Sequence, residues 1–228
     1  MLTRLFLPLM FGLAGAAILI ALGVWQLQRL SWKEAILTDI SARISAAPQA
    51  VPETPDPVAD RYLPVTANGI VTDDEIHVLV SQKQIGAGYR IIAAFETDTG
   101  RRLLLDRGFV KVDQKNAPRP SGPAGVLGNL HWPMETGGSI PEPDLKAEIW
   151  FARDVPAMAK HLDTEPVLIV AQSVSLENDP VAPLRVDITG IPNDHLQYAI
   201  TWFSLAAIWI IMTLTFLWRA RGVQKGSS

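Results

Sequence analysis

The sequence predicts an α+β membrane protein, with two transmembrane helices, one near each end, flanking an external and mainly antiparallel β domain, a sheet or a barrel. Three observations carry this expectation. Leu5–Gln28 and Leu196–Trp218 contain no charged residue, and about 20 apolar residues in a helix rising about 1.5 Å each cross the hydrocarbon layer. The stretch between them breaks into short runs rich in branched and aromatic residues, bounded by Gly, Pro and Asp. All 23 acidic residues fall within 29–197, against 16 basic ones, so the middle nets −7, while the two ends carry four basic residues and no acid.

In chain order, residues 1–28 form the first membrane helix. Trp25 and Gln26 follow its apolar run where a cleaved signal peptide would have a small-residue site, so an uncleaved anchor is expected. Gly12, Gly15 and Ala16 allow a second helix to approach closely. Residues 29–64 are a helical extension to about Ser45, followed by a stiff linker at Pro48, Pro52, Pro55, Pro57 and Pro64. Residues 65–190 are the β-rich domain. Strands are expected at Tyr62–Val71, Glu75–Ser81, Tyr89–Thr97, Arg101–Lys111, Gly125–Trp132, Glu148–Ala152 and Pro166–Gln172, with a hairpin turn at Thr99-Gly100 and one short helix at Asp154–Leu162. Residues 191–218 are the second membrane helix and 219–228 its tail. The basic ends place both termini in the cytoplasm and the middle outside, in the periplasm of a bacterium.

The composition narrows the chemistry. The chain has no cysteine, which excludes disulfides, thiolate metal sites and covalent CxxCH haem attachment. It has no basic nucleic-acid footprint. GxGxxG, P-loop, HExxH and GxSxG motifs are absent, so no catalytic constellation points to an enzyme. His77, His131 and His161 lack metal-ligand spacing and read as structural. Asp106-Arg107-Gly108, placed at a strand end, reads as an ion pair at a turn, with an acid catalyst as the minor alternative.

His195 is different. It opens the second membrane helix after Pro192, with Asn193 or Asp194 as the expected N-cap. Tyr198 and Trp202 share its face at i+3 and i+7. Near the end of the first membrane helix, Trp25, Arg29, Trp32, Lys33 and Ile36 form one aromatic and cationic face. Both stretches are expected at the outer water–lipid boundary. There they make either an interfacial aromatic belt or a clamp for an amphipathic ligand bearing carboxylates.

Three motifs resemble the Surfeit-locus family of cytochrome c oxidase assembly factors. They are Leu22-Gly23-Val24-Trp25-Gln26-Leu27 with Arg29, Trp32 and Lys33; Leu104-Leu105-Asp106-Arg107-Gly108-Phe109-Val110; and Pro192-Asn193-Asp194-His195-Leu196-Gln197-Tyr198-Ala199 with Thr201-Trp202-Phe203. The middle motif departs from the family, which usually has Arg-Gly-Trp followed by Val-Pro where Phe109 and Lys111 stand here. The resemblance, and the missing mitochondrial presequence, imply a bacterial member in the cell membrane. The implied role is an assembly chaperone and not an enzyme: it transiently binds haem a and assists its insertion into the catalytic oxidase subunit, with haem a synthase as a further candidate partner. The family's haem-ligand histidine matches His195. Tyr198, Trp202 and Trp25 would then flank the macrocycle, Arg29 and Lys33 would hold its propionates, and its isoprenoid tail would lie between the helices. Two rival readings are a cofactor-free scaffold for an oxidase subunit and a polysaccharide chain-length regulator. The regulator requires long helical heptads in the external region.

Overall fold

A computed structural model of the chain describes residues 2–82, 86–138 and 140–225. The side chains of Arg4, Arg221 and Lys225, which carry much of the charge argument for orientation, lie outside the described residues. The chain divides into two units, Met1–Asp39 with Thr189–Ser228, and Ile40–Ile188.

The first unit is a pair of helices, α1 (Leu2–Ile44) and α3 (His195–Lys225), both long and apolar enough to cross a membrane. Their outward side chains are almost all apolar and exposed, as expected where the surroundings are hydrocarbon. The helices run antiparallel and meet through small residues. Gly12 lies against Thr213, Gly15 against the Trp209 indole and Gly23 against the Phe203 ring. Ala16, Ala199 and Ala206 are buried in the same seam. Lipid gives little hydrophobic drive to helix pairing, so close van der Waals contact and hydrogen bonds must supply it. Trp209 contributes both: its Nε1 donates to the carbonyl of Gly12 at 2.9 Å, and its ring lies 5.6 Å from that of Phe11.

The second unit is a closed barrel. Its strands are β2 (Pro64–Gln82), β3 (Gly86–Thr97), β4 (Arg102–Lys111), β5 (Gly122–Leu130) and β7 (Leu168–Val174). They pair in the order β2-β3-β4-β7-β5, and β5 returns to β2. Every barrel pairing is antiparallel except β4–β7. This is a five-stranded Greek-key barrel of the OB type. Two short strands, β1 (Gln49–Ala50) and β6 (Ile149–Trp150), pair in parallel with β2. The region between the two apolar helices is therefore strand-built, and the long heptads of a chain-length regulator are not found among the described residues.

Closure depends on β2. The polar run Thr72-Asp73-Asp74 reads in sequence as a turn between two strands. In the structure it is a register shift inside one 19-residue strand, between Val71 and Glu75. Such an irregularity bends a strand without ending it. Residues 64–71 can therefore pair with β5, while the strand continues along β3. The proline-rich linker also differs from expectation, because Gln49 and Ala50, free of proline, add to Val65 and Thr66. The expected strand at Glu148–Ala152 shrinks to the two residues of β6.

The buried core of this unit includes Ile92, Ala94, Phe95, Leu103, Leu105, Leu130 and Ile169, drawn from both faces of the sheet. Helix α2 (Val155–Leu162) packs Val155, Met158, Ala159 and Leu162 onto it. The Asp154 carboxylate caps this helix by accepting from the Ala157 amide at 3.1 Å. Strand β4 is buried on both faces. Residues 179–184 form a strap beside β4 that bridges Phe109 through Ala182, and Val181 of the strap packs with Tyr89, Ile91 and Val110. The fully buried Asn129 satisfies its amide completely. It donates to the carbonyls of Ile44 (3.1 Å) and Tyr62 (2.9 Å) and accepts from Gln172 (2.8 Å).

Candidate functional site

His195 is the first residue of α3. The carbonyl of Asp194 accepts from the Tyr198 amide at 3.1 Å, which makes Asp194 the N-cap by its backbone. The expected side-chain cap does not form, and the Asn193 side-chain oxygen is buried without a partner. The imidazole of His195 is partly buried and turns toward α1, where its Nδ1 lies 2.8 Å from Oε1 of Gln26. Gln26 is only 9% exposed. An amide oxygen can only accept, so in the neutral imidazole this contact places the proton on Nδ1 and the lone pair on Nε2. No described residue forms a hydrogen bond with Nε2.

The other candidates lie on the same two helices, and none bonds His195 directly. An apolar groove of about 480 Å³ is lined by Gly15, Ile18, Leu19, Leu205, Ile208, Trp209 and Met212. Trp25 and Arg29 stand seven and eleven residues beyond Ile18, and Tyr198 seven before Leu205. Helical periodicity therefore sets all three on the groove side of the pair. Trp25 and Tyr198 are exposed, and Trp202, seven residues beyond His195, is partly buried. The Arg29 guanidinium stacks 4.3 Å from the centre of the Trp32 ring. Lys33 follows Gln26 by seven residues and so shares its stripe. Gln26 stands within the first sequence motif, where local pattern alone assigns it no role. The signal was available: it is the one uncharged polar residue at helical spacing from Gly12, Gly15 and Gly23.

The barrel holds a second concentration of charge, and it accounts for Asp106-Arg107-Gly108-Phe109. These residues lie inside β4, not at a turn, and Arg107 is the extra residue of a bulge opposite Ile91 and Ile92. Asp106 is fully buried and paired with Arg90, with Arg153 at 3.6 Å. Burial pushes its carboxyl above the ordinary value, and the two guanidiniums pull the other way. Arg107 turns to the opposite partner, Asp179 of the strap, at 2.9 Å. Gly108 lets the strap approach and Phe109 exchanges backbone bonds with Ala182. The ion-pair expectation is met, but the motif fastens the strap instead of ending a strand.

The remaining histidines are built into the fold. His77 is buried and bonded to Glu75 at 2.9 Å and to Arg119 at 3.2 Å. His131 stacks on Tyr62 at 5.4 Å, and burial, with Arg153 and Arg61 nearby, lowers its pKa to about 4. His161 packs edge-on against Trp150. Among the described residues no group of three His, Cys, Asp or Glu could hold a metal ion.

Fold and site together define a class: two membrane-competent helices with an OB-type barrel inserted between them in sequence, and a part-buried histidine–amide pair joining the two helices. The chain belongs to the SURF1 family, whose match covers residues 13–207. It is 30% identical over 234 residues to surfeit locus protein 1 of Xenopus tropicalis, covering 90% of this chain and 72% of the relative. It is 27% identical over 207 residues to a SURF1-like protein of Rickettsia bellii, covering 86% and 84%. The human surfeit locus protein 1 is 27% identical over 222 residues, covering 86% and 71%. This membership indicates a role in cytochrome c oxidase assembly.

Proposed function

We propose that the chain binds haem a at His195 and assists its insertion into the catalytic subunit of cytochrome c oxidase. One observation carries the reading: His195 is anchored through Nδ1 to Gln26 Oε1, a contact that in the neutral imidazole leaves the Nε2 lone pair for a metal. Metal-ligating histidines are held in this way, with one nitrogen oriented by a hydrogen bond and the other offered to the metal. The ligand set therefore fits a haem. Haem a would be cargo here, supplying a ferrous or ferric centre that takes an imidazole and a macrocycle that takes aromatic neighbours.

The residues divide the work. His195 holds iron. Tyr198, Trp202 and Trp25 offer ring faces, and Arg29 and Lys33 offer charge-assisted bonds to propionates. The apolar groove on the side of Trp25 and Tyr198 suits an isoprenoid chain. Both termini lie in the cytoplasm and the barrel in the periplasm of a bacterial cell, so the site faces the outer leaflet. The barrel is the surface available to the oxidase subunit, with haem a synthase as the donor partner. A periplasm-active reporter fused after Asp144 is expected to be active and one fused after Lys225 silent; the reverse pattern would sink the orientation.

The deciding experiment is coexpression with the haem a pathway, followed by the absorption spectrum of the purified protein. Replacing His195 with Ala or Met is expected to shift or abolish the Soret band, while replacing His77, His131 or His161 leaves it unchanged. An unaltered haem a spectrum at full occupancy in the His195 variant would return that residue to the aromatic belt and favour a cofactor-free scaffold.

A further inference from the structure

We infer that Gln26 is a positioning residue: it sets the tautomer of His195 and thereby selects Nε2 as the atom presented to a ligand. The inference rests on the haem reading above and extends it to a residue of the other helix.

The placement of Gln26 needs a reason. It sits inside Leu5–Gln28, where every other side chain on the α3-facing stripe is apolar or absent. A primary amide in hydrocarbon is costly unless its polar atoms find partners. Gln26 finds one in His195 Nδ1, at 2.8 Å. The two residues are 169 apart in sequence, and the pair forms only because α1 and α3 register through the glycine seam at Gly12, Gly15 and Gly23.

The chemistry is asymmetric. A free neutral histidine side chain prefers its proton on Nε2. An amide oxygen beside Nδ1 reverses this preference, because only the Nδ1–H form can donate to it. The Nε2 lone pair is then preset before any ligand arrives. The hydrogen bond also increases the donor strength of the ring toward a metal. A plain helix-to-helix contact, the alternative role for a buried glutamine, would need neither the acceptor oxygen nor one particular ring nitrogen.

The test uses the full chain in lipid nanodiscs with 15N-labelled histidine, the His195 signals being identified by their loss in His195→Ala. Wild type is expected to show Nδ1 protonated and Nε2 bare. Gln26→Met, similar in length but without an acceptor, is expected to move the proton to Nε2; Gln26→Glu is expected to keep it on Nδ1. The second readout is titration with ferrous iron protoporphyrin IX. Gln26→Met is expected to bind about tenfold to a hundredfold more weakly and to lower the iron–histidine stretching frequency, whereas Gln26→Glu raises that frequency above wild type. The Glu arm decides even where the Met variant fails to pair its helices. Wild type protonated on Nε2, or a tautomer and frequency indifferent to both substitutions, overturns the inference. If the tautomer follows Gln26 but the porphyrin does not bind, the haem reading fails and the assignment of Gln26 stands. If the porphyrin binds through His195 whatever stands at position 26, the haem reading stands and the assignment fails.

Discussion

Arg107 and Asp179, 72 residues apart, form an ion pair at 2.9 Å in which the arginine side chain is 1% exposed. The same guanidinium donates to the carbonyl of Pro120 at 3.0 Å. One side chain thus joins a bulge in β4, the loop before β5 and the strap of residues 179–184. Removing one member of a buried pair leaves the other charged and uncompensated, at a cost of about 3–5 kcal/mol. Asp179→Asn is expected to lower stability by about that amount, and the double change Arg107→Leu with Asp179→Leu by less than the sum of the single ones. Thermal unfolding of the full chain in detergent, followed by near-ultraviolet circular dichroism, measures both.

Gly108 makes the neighbouring prediction. Its φ is +130°, and a Cβ there would collide with the carbonyl of Ala182 and with Pro183. Backbone cannot step aside as a flexible side-chain tip can. Gly108→Ala is therefore expected to loosen the strap, with a cost of about 1–3 kcal/mol from conformation alone. Gly137→Ala, where the added Cβ meets nothing within 4 Å, is the matched control and is expected to leave stability unchanged. Hydrogen exchange at the Phe109 and Ala182 amides, which bond each other's carbonyls at 2.7 and 3.0 Å, should accelerate only in the first variant.

What the sequence reveals here follows the range of the interactions. The two apolar helices are legible because hydropathy is local, and α2 because its N-cap Asp154 and the Ala157 amide it accepts from lie three residues apart. The strand content of the barrel is legible from branched runs and turn residues. Its closure is not, because Thr72-Asp73-Asp74 looks like a turn and only pairing with β5 shows that the strand runs through. The Asp106-Arg107-Gly108 motif gives its residue types but not its partners, since Arg90, Arg153 and Asp179 come from three other segments. The role of Gln26 is hidden for the same reason. Its spacing from the glycines marks the seam, but its partner opens a helix 169 residues away.

The barrel should also report on pH through His131. Burial, reinforced by Arg153 and Arg61, holds this imidazole neutral in the folded state down to about pH 4, whereas the unfolded chain takes up a proton near 6.5. Between these values the unfolded state binds more protons, so stability falls as pH drops from 6.5 toward 4. The slope from this one group is at most about 1.4 kcal/mol per pH unit. His131→Gln removes the titration and is expected to flatten the stability profile in that window, even if it lowers stability at neutral pH. Glu75 acts in an adjacent window. Burial pushes its carboxyl up, but bonds from His77 and Arg119 prevail and hold its pKa at about 2, below the usual 4.5. Its contribution is present above 4.5 and is lost as pH falls toward 2. Denaturant melts across this range in wild type, His131→Gln and Glu75→Gln separate the two.

Arg29 separates retention of a ligand from ligation of its iron. Its guanidinium stacks on Trp32 at 4.3 Å, and no carboxylate pairs with it among the described residues. A cation held on an aromatic face keeps its N–H edge free for an acceptor. If that acceptor is a propionate of haem a, Arg29→Ala forfeits one charge-assisted hydrogen bond, about 1.5–3 kcal/mol, or roughly tenfold to a hundredfold in affinity. The iron bond to His195 is untouched, so the Soret position is expected to stay at its wild-type wavelength while occupancy after purification falls. His195→Ala is expected to do the reverse, changing the band itself. Arg29→Lys restores the charge but not the planar fork and should recover only part of the retention. Haem occupancy and band position, measured on the same samples across a salt series, distinguish these outcomes. A shifted Soret band in Arg29→Ala would mean that the residue acts on the iron site and not on the edge of the ligand.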